Sequence, residues 1–282
     1  MKTVILSLIL FLSSFSFMKA QDTITIYYKK DWTEVSDKNL ATYYRKAFPD
    51  NNKKWIAHDY YSNNQLQMTG TYKSKKMTVK EGHFIYYHEN GRKAGEGDYK
   101  DNKYEGFWVY WHENGKKKSE GIYRNDLRQN KWTFWHENEQ EKSEGLFVNG
   151  ELDGKWIYWF DSGEKQAEGV YNDGAKDGVW NYFYKTGQTE ITETYKERQL
   201  NYCIGFFENG NLKFKGNASY SLNNGEWIYG NVDGKIFMKG NYLNDHKDGE
   251  WTRFFPNGDS MKIYYNKGTL VSKQLGEIYK NK

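Results

Sequence analysis

His88, His112 and His136 recur 24 residues apart, and each is followed by Glu and Asn. Imidazoles in register with carboxylates are the materials of a metal site, so the spacing is tested first as chemistry. Adjacent hairpins of a sheet lie two strand separations apart, roughly 9.6 Å at ~4.8 Å per strand. Zinc ligands converge to about 2 Å from one ion. Three parallel histidines spread over about 19 Å cannot share a metal, and none is expected. The Glu of the E-N-G stretches and the Glu before a later glycine also recur. Catalytic carboxylate pairs are set apart by unlike environments at one place in a fold, so recurrence assigns these groups to turns and surface. No G-x-S-x-G, P-loop, H-E-x-x-H or dinucleotide fingerprint occurs. No catalytic residue, cofactor or enzymatic activity is expected. Cys203, the one cysteine, fills a slot held elsewhere by Trp and reads as a small buried hydrophobe.

The aromatic residues offer a different chemistry. Trp111, Trp135, Trp159 and Phe183 form a row at the same period. Spaced about 10 Å apart, they could stack sugars, peptides or cationic groups. A second row, Trp108, Trp132, Trp156 and Trp180, lies three residues earlier. Which row is core and which is surface depends on the elements that carry them.

Those elements follow from the period. Phe84 precedes the second row by 24 residues, and Trp227 and Trp251 continue it after a one-residue deletion. Asn-Gly or a related pair follows each, as at Asn90-Gly91, Asn114-Gly115 and Asn209-Gly210. Strand glycines then recur, including Gly97, Gly121, Gly145, Gly169, Gly216 and Gly240. Eight units lie between about residues 82 and 270, with a degenerate ninth before them. Alternating aromatics predict strands, and Asn-Gly predicts a two-residue type I′ turn. A second turn, at Asn149-Gly150 or Asn172-Asp173-Gly174, leads onward, so the whole is read as an antiparallel meander. With Asn114-Gly115 as the turn, Trp108 faces Gly121, Tyr110 faces Ser119, Val109 faces Glu120 and Trp111 faces Lys118. A ring over a small cross-strand partner stabilises a sheet, so the glycine is expected to make room for the indole of its own hairpin. Alternation puts Trp108, Tyr110 and His112 on a packed face, and Phe107, Val109 and Trp111 on the other. Glu193 falls opposite Trp180, where a local irregularity is expected.

The unit G-x-W-x-Y-W-x-E-N-G-K-x-x-x-E-G-x-Y-x-N-G-x-x-D-G resembles the MORN repeat. It is most similar to the bacterial variant of exported Bacteroidota proteins and of a family described as antitoxin components. The resemblance covers about residues 82–270, and 57–81 more weakly. It implies a long, curved, single-layered β-sheet acting as a scaffold, a protein-binding surface or a membrane-associated module, with no catalytic residues to carry over.

Composition agrees with an all-β chain built on aromatics. Trp, Tyr and Phe make up 18% of 282 residues, and each buries roughly 150–250 Å². Lys2, the apolar run from Val4 to Phe17 and Ala20 read as an export signal over residues 1–20. The absence of a cysteine after that run argues against a lipid anchor. Without Lys2 and Lys19 the formal charge falls from +4 to +2, which is no nucleic-acid signature. A single cysteine excludes an intramolecular disulfide framework. Residues 21–56 are read as an N-terminal α+β cap, with strands in DTITIYYKKDWTEV and a short helix in DKNLATYYRKAF starting near Asp37. The repeat domain spans 57–270 and a tail 271–282. These readings give an elongated single-layered antiparallel β-meander of eight or nine 24-residue hairpins. The expected function is that of an exported, periplasmic, outer-membrane-associated or secreted scaffold that binds a protein partner. Two alternatives are glycan or membrane-lipid binding through the Trp111 row, and an antitoxin or immunity role.

Overall fold

The computed structural model describes residues 23–276. The expected export signal at 1–20 and the end of the tail lie outside them. Twenty-two strands pair into one antiparallel sheet. The first six are β1 (Ile24–Tyr28), β2 (Glu34–Val35), β3 (Tyr43–Pro49), β4 (Trp55–Tyr61), β5 (Leu66–Tyr72) and β6 (Lys80–Tyr87). From β3 onward each strand pairs with the next in sequence, ending at β22 (Thr269–Gly276). At the other end β1 pairs with both β2 and β3. The result is an open meander, as the alternating pattern predicted.

The first stretch departs from expectation. The helix read into DKNLATYYRKAF is a single 3₁₀ turn, Lys38–Leu40, which Asp37 caps by accepting from the Asn39 N–H at 2.9 Å. Tyr43–Pro49 is a strand instead. Local helix propensity loses there to cross-strand pairing of every residue of β3 with β4. No α-helix occurs among the described residues. The cap therefore extends the sheet rather than lying over its edge. It ends on the two-residue strand β2, and short edge strands offer little template for aggregation. The expected boundary at 56/57 falls inside β4, and that at 270/271 inside β22.

Both turn types are resolved, with their roles exchanged. At Asn114-Gly115 the loop has three residues. The His112 N–H donates to the Lys116 carbonyl, the Gly115 N–H donates to the His112 carbonyl, and only Gly115 has positive φ, +85°. Asn114 Oδ1 accepts from the Lys116 N–H at 2.9 Å. This is a type I turn closed by a left-handed residue, not a type I′ turn. Trp111 consequently faces Lys117 rather than Lys118. The two-residue type I′ turns are the other set. Asn149 and Gly150 have φ of 51° and 87° between the paired residues Val148 and Glu151.

The packed face of this single layer is buried without a second layer. Trp108, Trp132 and Trp251 are fully buried, and Trp156, Trp180 and Trp227 nearly so. The directly opposite pairs Trp108–Gly121 and Trp156–Gly169 are as expected. The rings, however, lie over a different glycine. A Cβ on Gly97 would stand 2.3 Å from the Trp108 ring, and one on Gly121 would stand 2.3 Å from Trp132. Each indole thus covers the glycine of the preceding hairpin and locks successive units together.

A bulge makes this geometry possible. Gly154 and Lys155 are inserted between the pairs Gly145–Trp156 and Leu146–Asp153, with Gly154 at φ +64°. Gly106 and Gly178 hold the same place, as does Asn130. The insertion interrupts the ladder, and the indole N–H reaches across it. Trp156 Nε1 donates to the Leu146 carbonyl at 3.0 Å, and Trp108 Nε1 to the Asp98 carbonyl at 3.1 Å. The expected irregularity lies between Thr194 and Tyr195. There one residue rather than two is inserted, which accounts for the sequence deletion.

Candidate functional surfaces

The repeated histidines bind backbone. His88 Nε2 lies 3.0 Å from the Trp111 carbonyl oxygen, and His112 and His136 lie at the same distance from those of Trp135 and Trp159. Each imidazole therefore ties its loop to the next unit. The loop asparagines do the same: Asn90 and Asn114 Nδ2 donate to the carbonyls of Glu113 and Glu137, both at 2.8 Å.

Trp111, Trp135, Trp159 and Phe183 are all partly exposed on the face opposite the packed indoles. A lysine of the preceding unit covers three of the four rings. Lys93 Nζ lies 5.5 Å from the Trp111 ring centre, Lys117 5.0 Å from Trp135 and Lys165 5.6 Å from Phe183. The residue at that place before Trp159 is Glu141, so Trp159 carries no such cover. The same face also holds exposed apolar groups. Ile122, Leu146 and Val170 recur at 24 residues and are 37%, 44% and 42% exposed. Phe107, directly opposite Ile122, is 56% exposed, and Val179 is 51% exposed. Around them run cross-strand ion pairs such as Lys131–Glu144 at 2.6 Å and Lys155–Glu168 at 3.1 Å. In the last hairpin the signs are exchanged, with Glu250 and Lys262 at 3.0 Å. An exchange that preserves the pair marks these carboxylates as sheet contacts.

On the packed face a cation recurs at double the period, a signal present in the sequence that the 24-residue reading passed over. Lys80, Arg128 and Lys176 are 48 residues apart, while Tyr104, Leu152 and Leu200 alternate with them. Arg128 lies 4.7 Å from the Trp132 ring centre and 5.3 Å from Phe147; Lys176 lies 4.9 Å from Trp180 and 5.3 Å from Tyr195. Such cations hold their stems against the rings and roof them with charge.

The first of these, Lys80, lines a cavity at the N-terminal end of the sheet, and Arg128, with Phe134, Trp135 and Phe147, lines another of roughly 350 Å³. Between the β1–β2 hairpin and strands β3 to β6 lies a hollow of roughly 400 Å³. Arg45 on β3 directly faces Asp59 on β4 and donates to both its oxygens, at 2.6 and 2.8 Å. Asp59 is 2% exposed, and a bidentate pair is what allows a carboxylate to be buried so far. Arg45 also reaches the Tyr72 hydroxyl at 3.3 Å. Burial pushes that phenol up to about 12, against the lowering influence of Arg45. Lys80 Nζ donates to the Tyr86 hydroxyl at 2.8 Å, and burial, then Arg45, pulls its pKa below the ordinary lysine value. Gln67 presents a buried Oε1 with no hydrogen-bond partner. Trp32 overhangs the opening in a left-handed conformation, φ 64°, stacked on Tyr43 at 5.0 Å and 17°. Nothing in the 24-residue pattern flags these residues, because Trp32, Arg45 and Asp59 occur once each in the irregular N-terminal region.

Four units, residues 80–101, 104–125, 152–173 and 176–197, match the family described as MORN repeat variant. The intervening hairpin, Leu127–Trp135 with Glu141–Val148, keeps the same register. The chain thus carries MORN-type repeats. Among curated proteins none matches it. Among solved structures it is similar, at 11% identity and a TM-score of 0.21, to a chain of the crystal structure of TcdB2-TccC3, covering 90% of this chain and 17% of that one. It is similar at 12% identity, TM-score 0.18, to a chain of the crystal structure of the mitotic checkpoint complex, covering 88% of this chain and 75% of that one. The chain spans less than a fifth of the first of these.

Proposed function

We propose that this chain of MORN-type repeats is a non-enzymatic, exported scaffold that holds a protein partner in the cell envelope. The observation that carries the reading is the apolar row Ile122, Leu146 and Val170 on the face opposite the packed indoles, with Phe107 and Val179 beside it. The three side chains of the row stay 37–44% exposed, and repetition lines them up along successive strands. Lys–Glu pairs border the row, giving the apolar centre and polar rim of a protein interface. Export is supported by Lys2, the apolar run that follows and Ala20 in the first 20 residues. The repetition of histidines and carboxylates as backbone ties and sheet pairs supports a binding role over a catalytic one.

The test is capture of envelope proteins on the intact chain, followed by direct binding of the purified candidate. The expected result is one partner whose affinity falls at least about tenfold in the Ile122/Leu146/Val170→Lys variant. Binding unchanged by that variant but lost in Trp111/Trp135/Trp159→Ala would move the interface to the tryptophan row. Loss in neither would refute this face as the docking surface.

A further inference from the structure

We infer that the cavity between the Trp32 hairpin and strands β3 to β6 binds a hydroxylated sugar ring carrying one carboxylate. Its size, roughly 400 Å³, suits a small ligand. Four aromatic residues, Trp32, Tyr61, Tyr72 and Tyr86, line it, and rings of this kind pack against carbohydrate C–H faces.

The polar groups select the ligand further. Arg45 and Asp59 neutralise each other through two hydrogen bonds. Lys80 holds a phenol hydroxyl rather than a carboxylate, so the cavity keeps one uncompensated positive charge. That charge calls for a single anionic group. The Gln67 Oε1 is a buried acceptor without a donor, and a buried group of this kind destabilises the fold until it is satisfied. A sulfate could answer Lys80 but has no proton to give Gln67, and a hydrogen phosphate, which has one, offers no apolar face to the rings. A neutral sugar could answer Gln67 but not Lys80. A uronic-acid ring supplies both a carboxylate and several hydroxyls.

The backbone adds an independent observation. Trp32 is a non-glycine residue at φ 64° with a 42% exposed side chain, so the hairpin presents a large ring at some conformational cost. One face of that ring rests on Tyr43.

The experiment titrates the full chain with sodium glucuronate and sodium galacturonate, using calorimetry and tryptophan fluorescence. Glucose and acetate serve as single-feature controls. The expected result is saturable binding of one hexuronate, with each control at least about tenfold weaker. Lys80→Met, which keeps the apolar stem over the rings, lowers hexuronate affinity about tenfold and leaves glucose unchanged. Gln67→Leu weakens both sugars. Lys247→Met provides the matched control. Lys247 sits over Trp251 at 4.4 Å in the last hairpin, in the place Lys80 takes beside Phe84, and its loss leaves sugar binding intact. Circular dichroism confirms that each variant keeps the sheet. The inference is overturned by three outcomes: no saturable binding up to about 10 mM hexuronate, equal affinity for hexuronate and glucose, or indifference to Lys80→Met in a folded variant. It stands apart from the scaffold reading, because the Ile122/Leu146/Val170 row plays no part in the cavity and its variant leaves sugar binding unchanged.

Discussion

At the scale of single residues, the contact that matters most joins an indole to a glycine of the hairpin before it. Gly145 is the clearest case, because its Cβ would stand 2.3 Å from the Trp156 ring, which is buried and held by its N–H on the Leu146 carbonyl. Gly145→Ala is therefore expected to destabilise by about 1–3 kcal/mol through overpacking, read as a fall in the urea midpoint. Gly82→Ala, with no atom within 4 Å of the added carbon but a φ of +93°, separates steric from backbone cost. The exception confirms the logic. Where glycine becomes Glu193, the residue that would lie over it is Cys203 rather than Trp, and the two are directly paired. Glu193 spends its carboxylate on the Tyr182 and Tyr195 hydroxyls, both at 2.8 Å. Burial pushes the Cys203 thiol up to about 11, consistent with a small packed group.

At the scale of elements, turn chemistry decides the register. The sequence pairs Trp108 with Gly121 and Val109 with Glu120 correctly, because the unpaired Lys118 makes up the one residue by which the three-residue loop departs from a two-residue turn. It misplaces Trp111 by one residue, because an Asn-Gly pair serves equally in a two-residue turn or at the end of a three-residue loop. One loop tests the closing position. Glu139 occupies the left-handed place held by Gly115 one unit earlier, with φ 72°. Its salt bridge to Lys116, at 2.7 Å, is exposed and contributes little. Glu139→Gly is expected to raise stability by about 0.5–1 kcal/mol, the relief of left-handed strain less the entropy that glycine loses. Paired urea melts of the two proteins measure it, and a lower midpoint would contradict the strain argument. The bulge glycines Gly106, Gly154 and Gly178 were visible as a column two residues before each Trp, but nothing in one strand's sequence shows that its neighbour's ladder is interrupted there.

At the scale of the whole molecule, burial divides into three aromatic clusters along the sheet. The first runs from Ala47 to Trp108, the second from Trp132 to Trp180 and the third from Cys203 to Ile263. Tyr110 and Tyr123 touch both of the first two, whereas Glu193 separates the second from the third. The phenols in these clusters set an alkaline limit. Burial raises the pKa of Tyr72 to about 12, and also raises Tyr86, Tyr110, Tyr158 and Tyr229. A phenol whose folded pKa exceeds its unfolded value of about 10 loses its proton first in the unfolded chain. Stability is then complete below about pH 10 and falls as pH climbs toward 12 and beyond. Lys80 and Lys247, lowered by burial, act in the opposite sense but are fewer. Urea midpoints are expected to hold steady between about pH 8 and 9 and to drop above about pH 10. A midpoint independent of pH up to about 11 would show that these phenols ionise as freely in the folded sheet as in water.

The amino-acid order by itself determined the period, the all-β class, the meander and the division into a packed and an open face. Those follow from alternation and turn residues, which act within one hairpin. Only the tertiary structure decided which glycine each indole covers, that His112 bonds backbone, and that Arg45, Asp59, Gln67 and Lys80 meet beneath Trp32. These contacts join neighbouring hairpins, or strands of the irregular N-terminal region, where no repeat exposes them. A pattern read along the chain reports what a strand does with itself and its hairpin partner. What stands on the far side of that strand is settled only when the next unit docks.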